Sequence, residues 1–358
     1  MKKFCSMGAL AFVCLWALAA QSVAAPAAKP GFDEKAVADF YRGKTVRIIV
    51  GFSAGGGYDA YSRLIARHLG QYIPGNPTVI VDNMAGAGSI IAANHVYNAG
   101  AKDGTLIGNI SGPIILEQLF GNPAVQFDIG KFQNLAVPVS ETYCMIVTKK
   151  SGVSKFEELL GPNAKQVVIG GIPGSTVEHG PILVRDVVGA NIKLVVGYKG
   201  TADVRLAIDS GEVGGFFNTW TSAKITSLDK FKSGEWLLVA QLTDNPIRDL
   251  PYPNVPTISR IAKTEEQRQL LRFGASSPNQ FGKLYVVAPG VPADRAAALE
   301  AAFTKAFADK KLLADAEKGR LEIEPLSGEE IQKLVGEFLA MSPEVRSKLQ
   351  KVLKAGKK

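Results

Sequence analysis

The chain has 358 residues, 46% of them hydrophobic and 21% charged. That is the composition of a globular protein with enough length for one large core or two ordinary ones, and two domains are the better expectation. Its formal charge of +8 is spread along the chain with no nucleic-acid-binding motif, so nucleic acid is not an expected partner.

The first segment differs in kind from the rest. Lys2 and Lys3 precede an apolar run from Met7 to Ala20, and small residues follow at Ser22, Ala24 and Ala25. This is the pattern of a secretory signal peptide over residues 1–24, cut after Ala24, with Ala25 and Ala27 as alternative cleavage positions. The alternative, a membrane anchor or buried helix, is disfavoured because the run is shorter than the roughly 20 residues that span a bilayer. Cleavage removes Cys5 and Cys14 and leaves Cys144 alone, so no intramolecular disulfide is expected. Cys144 lies in the apolar run from Tyr143 to Val147 and reads as a buried, inert thiol. Neither early cysteine is placed for lipid attachment, so a soluble exported product is expected. Losing Lys2 and Lys3 takes the charge from +8 to +6, a weak preference for anionic solutes. The cluster Lys351, Lys354, Lys357 and Lys358 reads as the solvated end of an amphipathic helix.

Beyond the signal, strands alternate with helices. The run 46–50 reads as a strand, followed by a glycine-rich turn and a helix over 59–69. Then come a strand at 78–81, a helix at 89–98, a strand at 105–110 and a short helix at 114–119. A second series has strands at 135–139 and 143–148, a helix at 155–160, a strand at 167–170 and a helix at 177–188. It continues with a strand at 193–196, a helix at 202–210, and strands at 213–217 and 236–241. A proline-bearing connection over 245–256, a strand at 284–288 and long helices at 292–308 and 328–339 complete the chain. Such alternation predicts an α/β fold with mostly parallel sheets covered by helices.

The turn Gly51-Phe52-Ser53-Ala54-Gly55-Gly56-Gly57-Tyr58-Asp59 carries the strongest chemical signal. Consecutive glycines between a strand and a helix let the backbone approach a ligand, and the helix N-terminus adds partial positive charge, a combination suited to a carboxylate. A plain flexible turn with Asp59 as an ordinary first-turn residue is the alternative. Gly51-Phe-Ser-Ala-Gly55 also fits a G-x-S-x-G nucleophile elbow, which would make Ser53 the nucleophile of a secreted hydrolase. The turn follows the first strand rather than several strands that build an oxyanion site, which argues against that reading. No Lys-Ser or Lys-Thr follows the glycines, and they lack G-x-G-x-x-G spacing, so neither a phosphate loop nor a dinucleotide site is expected. No His/Cys/carboxylate spacing suggests a metal, and no cofactor is expected.

The run from Lys44 to Asp59, with Arg63 one helical turn on, resembles the opening signature of the substrate-binding proteins of tripartite tricarboxylate transporters, the Bug or TctC-like family. Further similarities occur in order. Asp82-Asn83-Met84-Ala85-Gly86-Ala87-Gly88 resembles the family's E-N-x-x-G-A-G turn, and Ala101-Lys-Asp-Gly-Thr-Leu106 its A-x-P-D-G-Y-T-L step. Gly174-Ser-Thr resembles its second ligand loop, Gly197-Tyr-Lys-Gly200 its Y-K-G turn, and Val255-Pro-Thr257 its P-x-V-P-T connection. Ala288-Pro-Gly-Val-Pro292 is similar to the step before its C-terminal helices.

The resemblance implies a type II periplasmic binding protein fold, with two α/β domains and a ligand cleft between them. Domain 1 would comprise 41–142 and 246–358, and domain 2 would comprise 143–245. It implies a periplasmic, non-enzymatic, monomeric protein that captures a small organic anion, a di/tricarboxylate or aromatic acid, and delivers it to membrane subunits of a tripartite tricarboxylate-type transporter. A sensor subunit with the same cleft is an alternative. The first ligand loop would be Ser53, Ala54, Gly55, Gly56, Gly57, Tyr58 and Asp59, and the second Gly174, Ser175 and Thr176, where Ser175-Thr176 also reads as a plain helix cap. Asn83, Gly86, His179, Tyr198, Gly200 and Asn218 are further candidates. Thr201 could cap the helix after Gly200, Lys199 could pair with a carboxylate or be solvated, and Trp220 could be a stacking wall or a core aromatic. Tyr58 stands where the family usually has a small residue or threonine, and would narrow the cleft or stack on an aromatic acid. Glu178 would repel an anion if it pointed inward. Intact-mass measurement of the exported protein should give a chain beginning at Ala25, or at Pro26 or Ala28 if the alternative positions are cut; one retaining Met1 would contradict the signal-peptide reading.

Overall fold

The computed structural model describes residues 31–355 except 245, 248, 249, 251 and 253. The signal-peptide reading lies outside the described residues, as do parts of the expected connection over 245–256. The first sheet is built from β1 (Thr45–Val50), β2 (Thr78–Asn83), β3 (Leu106–Ser111) and β4 (Gln133–Ala136). The second holds β5 (Tyr143–Thr148), β6 (Val167–Gly171), β7 (Ile192–Val196), β8 (Gly215–Thr219) and β9 (Trp236–Leu242). A last strand, β10 (Lys283–Val287), returns to the first sheet. The strand orders are β2-β1-β3-β10-β4 and β7-β6-β8-β5-β9.

The two sheets repeat one plan. In the first, β1 runs parallel to β2 and β3, and β10 enters antiparallel between β3 and β4. In the second, β6 runs parallel to β7 and β8, and β5 enters antiparallel between β8 and β9. Each sheet thus receives one central strand just after the chain crosses from the other sheet. The central strands β3, β5, β8 and β10 are buried at every position, whereas β2, at a sheet edge, is largely half-exposed. Helices on both faces bury the middle of a sheet from both sides, so its central strands carry few exposed positions.

Most elements lie within a residue or two of the sequence expectation, and the differences have local causes. The strand expected at 135–139 lies at Gln133–Ala136, because Val137 leaves the sheet to exchange backbone hydrogen bonds with Leu326 at 3.4 and 2.9 Å. The strand expected at 213–217 lies at Gly215–Thr219, in register with β5 through Tyr143↔Thr219. The helix expected at 155–160 shrinks to a single 3₁₀ turn, Phe156–Leu159. The Trp220–Lys232 helix was not anticipated; Thr219 caps it by accepting from the Ser222 amide at 3.2 Å. Nor was the Glu265–Leu271 helix, opened by a Thr264–Gln267 capping box. Its continuation through Arg272–Ser276 packs, together with the final helix Pro343–Ala355, on the Thr176–Asp186 helix of the second sheet. Cys144 is fully buried in β5.

Where the chain crosses between sheets, two charged side chains are buried together. Glu141 precedes β5 and Lys283 opens β10, and their side chains are 1% and 0% exposed. Glu141 accepts from the Lys283 ammonium and from the Thr221 hydroxyl of the second lobe, and its backbone amide donates to Asn279 O at 3.0 Å. Lys283 Nζ also lies 5.3 and 4.7 Å from the ring centroids of Tyr58 and Tyr61. Burial pushes the Lys283 ammonium below the usual lysine range, and Glu141 pulls it back up. Removing one partner of such a pair strands the other charge in the interior, which costs about 3–5 kcal/mol. Lys283→Met should lower unfolding stability by about that much in urea titrations, and Lys283→Met/Glu141→Gln should recover most of it. Equal stability of Lys283→Met and the unsubstituted chain would contradict this assignment.

Candidate functional site

The glycine-rich turn after β1 is shaped by its own side chains. Asp59, in the first turn of the Gly57–Leu69 helix, reaches back to accept from the Gly55 amide at 2.9 Å. Arg63 Nε holds the same carboxylate at 3.0 Å to each oxygen, and Arg63 Nη2 continues to Asn83 Oδ1 at 3.2 Å. Asn83 Nδ2 then donates to Phe52 O at 3.0 Å, closing a brace around the turn. Burial by itself pushes the Asp59 carboxyl up, but hydrogen bonds from Arg63 and the Gly55 amide hold it below its usual value. Among the described residues no acceptor takes the amides of Gly56 or Gly57, the N-cap and first residue of the helix.

The turn after β6 uses the same device. Glu178, in the first turn of the Thr176–Asp186 helix, accepts from the Gly174 amide at 2.8 Å, so this carboxylate is turned onto its own loop. Ser175 caps the helix by accepting from the Val177 amide at 3.2 Å, and its hydroxyl donates to Ile172 O at 2.8 Å. Thr176 Oγ1 donates to Asn279 Oδ1 at 3.2 Å. In both turns a carboxylate four residues on takes up one loop amide, which lowers the number of donors left for a ligand.

The two lobes meet along this region. Ser53 Oγ donates to Asp203 Oδ2 at 3.1 Å, and Arg205 Nη2 donates to Gly55 O at 2.9 Å. A Cβ on Gly57 would stand 1.8 Å from Ser222 Oγ, one on Gly200 2.1 Å from Ser53 Oγ, and one on Gly88 2.6 Å from the Gly174 carbonyl carbon. Glycine at these places is what lets backbone from one lobe reach the other. Between the lobes lies a cavity of about 20 Å³, room for about one water molecule. From the first lobe it is lined by Phe52, Gly56, Gly57 and Tyr58, and from the second by Tyr143, Ile172, Val177 and Asn218. Thr201, Thr219 and Ser222 add hydroxyl-bearing side chains, and Glu141 reaches it from the crossing segment.

Of the residues singled out in the sequence, Gly56, Gly57, Tyr58, Thr201 and Asn218 line this cavity. Tyr58 contributes its ring, tilted against Phe52 at 4.4 Å, while its hydroxyl donates to Gly282 O at 2.7 Å. Ser53, Gly55 and Gly200 form the rim contacts, and Ala54 is exposed beside them. Asp59 and Asn83 brace the first turn from behind. Gly174, Ser175 and Thr176 are not in the lining, although their neighbours Ile172 and Val177 are. Gly86 packs against Ile91, and Tyr198 bonds Glu212 at 2.7 Å on the second lobe. His179 is fully buried with Nε2 3.2 Å from Glu117 Oε1, joining the lobes behind the cavity rather than lining it. Trp220 is core, 3% exposed and edge-on to Phe231 at 5.4 Å. The Thr201–Asp209 helix is capped by Gly200 and not by Thr201, which is its first residue.

Several residues of this site had no signal in the sequence. Glu141 and Ser222 lie on segments with no glycine turn or motif, Asp203 and Arg205 lie on the helix that follows the Gly197–Gly200 turn without being part of it, and only the approach of the two sheets brings them to the cavity or its rim. The Ser53 hydroxyl faces Asp203, and helix begins only at Gly57, so the sharp strand-to-helix step of a nucleophile elbow is missing. Of the histidines, His68 pairs with Asp315 at 3.0 Å and His179 with Glu117.

No family model matches the chain. A UPF0065 protein encoded in the tcbD–tcbE intergenic region of a Pseudomonas species is 26% identical over 231 residues, 63% of this chain and 65% of that relative. Among solved structures, the periplasmic binding protein BugD superposes with a TM-score of 0.64 at 18% identity, covering 87% of this chain and 98% of BugD. MatC from Rhodopseudomonas palustris, with bound malate, has a TM-score of 0.62 at 18% identity over 87% of this chain and 99% of MatC. A second R. palustris protein, with adipate, has a TM-score of 0.66 at 20% identity over 87% and 97% of the two chains. The likeness to Bug and TctC proteins read from the sequence motifs is therefore matched in three dimensions, and the chain has the two-lobed type II fold of these periplasmic binding proteins.

Proposed function

We propose that this chain is a periplasmic solute-binding protein of the Bug/TctC family that takes a small organic carboxylate into the cleft between its lobes and delivers it to a tripartite tricarboxylate-type transporter. The observation that carries the reading is the cavity itself, lined from one lobe by Gly56 and Gly57, whose amides at a helix N-terminus have no acceptor among the described residues, and from the other by Asn218, whose Nδ2 is buried without a partner. The malate and adipate held by proteins of the same fold support a carboxylate ligand. Donors on opposed lobes are satisfied together only when both lobes close on one ligand, so ligand shifts the population toward the closed form. With room for about one water, the cavity requires the lobes to part before an organic acid enters.

Catalysis by Ser53 lacks support: its hydroxyl hydrogen-bonds Asp203, and two of the three histidines are paired elsewhere. Screening carboxylic acids by thermal shift should find at least one that raises the melting temperature, since a ligand at 100 times its Kd adds about 2.7 kcal/mol to stability. Ser53→Ala should keep that shift, and neither form should hydrolyse nitrophenyl esters; ester turnover abolished by Ser53→Ala would instead support the hydrolase. Gly57→Ala should keep the fold but lose the ligand-dependent shift, because its methyl would collide with Ser222 across the cleft. Adding Ser222→Ala should restore the shift in part, and an undiminished shift in Gly57→Ala alone would remove the Gly57 amide from the binding site.

A further inference from the structure

Hydrogen bonds between the lobes have unequal leverage on how far the lobes part. Thr221–Glu141 and Thr176–Asn279 join the second lobe to segments through which the chain crosses between the sheets, at the hinge, where opening displaces atoms least. Ser53–Asp203 and Arg205–Gly55 instead tie the glycine-rich turn after β1 to the Thr201–Asp209 helix, across 150 positions each and outside both crossings. Breaking them is part of any opening at the rim.

The fit along this contact is close. A Cβ on Gly200 would stand 2.1 Å from Ser53 Oγ, one on Gly56 3.1 Å from Thr201 Oγ1, and one on Gly55 4.0 Å from Ala202 Cβ. The start of the helix therefore seats on the turn, and Asp203 and Arg205 grip Ser53 and Gly55 from the same helix. With these bonds made, the cavity behind them has room for about one water molecule, which is too little for an organic acid.

The Arg205 contact is also incompletely satisfied. Nη2 donates to Gly55 O at 2.9 Å, but Nη1 is buried with no acceptor among the described residues. Burial pushes the guanidinium below the usual arginine range, against the pull of Asp209 and Asp203. A buried donor without an acceptor is costly, and parting of the lobes returns it to water. The contact holds the rim shut while keeping a bias toward release.

Resting on the reading of the chain as a protein whose lobes close on a ligand, we propose that Asp203 and Arg205 form a latch that shuts the lobes on the Ser53–Gly55 turn in a form too tight for the ligand, and that its release admits the ligand. Both are positioning residues, since neither lines the cavity. Removing the latch raises the open fraction, and with it the share of molecules competent to take up ligand.

Small-angle X-ray scattering of the ligand-free exported chain tests this. The unsubstituted chain should give the radius of gyration of the closed structure, and Asp203→Ala/Arg205→Ala a larger one. Leu206→Ala, on the same helix but 68% exposed, should match the unsubstituted chain. Gly200→Ala should also enlarge the radius, because its methyl displaces Ser53 Oγ from Asp203 while both latch side chains remain. That variant decides the matter should the double variant not fold. An unsubstituted chain as extended as the double variant, or a folded double variant as compact as the unsubstituted chain, would overturn the latch. A thermal-shift screen of carboxylic acids on both forms separates this from the functional reading. An opened double variant with no acid stabilising either form would leave the latch standing and overturn the carboxylate ligand. An acid that stabilises both forms while the radius stays the same would overturn the latch alone.

Discussion

The arrangement of the cleft depends on the ion pair at the crossing between the sheets. Glu141 belongs to the segment that leaves the first sheet, Lys283 to the strand that returns to it, and Thr221 to the helix after β8 in the second lobe. A charge pair this deep is not in general a source of net stability, since desolvation offsets much of the attraction. It does impose a geometric requirement, because each charge must have its partner in place. That requirement ties the crossing segments to the second lobe at the edge of the cavity. The rings of Tyr58 and Tyr61 beside the ammonium bring the first lobe's glycine-rich turn into the same constraint.

The pseudo-symmetry of the two lobes extends to their turns. After β1 and after β6 the chain enters a helix whose first-turn carboxylate folds back on a loop amide, Asp59 on Gly55 and Glu178 on Gly174. The carboxylates give the turns a defined shape without a ligand, which reduces the ordering cost at binding. The turns then differ in use. The first keeps two unclaimed amides, on glycines that line the cavity, whereas the second packs against the Ala87–Gly88 backbone of the opposite lobe. Asn218 Nδ2 is an unclaimed donor on the second lobe, on a cavity-lining residue at a strand end and not in the glycine turn.

Much of the fold was legible because α/β layers write themselves into apolar periodicity. The β-branched runs of β1, β3 and β5 and the helices Ile114–Leu119 and Gly328–Leu339 lie where their patterns put them. The misplaced elements were those where another part of the chain competes for a strand's hydrogen bonds. Val137 is apolar enough to extend β4, but Leu326 takes its backbone groups. The Trp220–Lys232 helix carries little hydrophobic periodicity, and its start is set by the Thr219 cap at the end of β8. Of the site, the glycine turn was visible because close backbone approach needs glycine. The long-range partners were not, because Ser53–Asp203 and Arg205–Gly55 each span 150 positions.

By itself the sequence determined the alternation of strands and helices, the glycine turn that opens the Gly57 helix, and Ser175 as the cap of the Thr176 helix, since each follows from local periodicity, backbone freedom or a neighbouring hydroxyl. Only the tertiary structure decided which amides remain open, that Glu178 and His179 turn away from the cavity, and that Glu141 reaches it with its charge already matched. Those outcomes depend on where distant segments come to rest. A side chain's partner in the folded state is set by packing between lobes, and no local pattern encodes it.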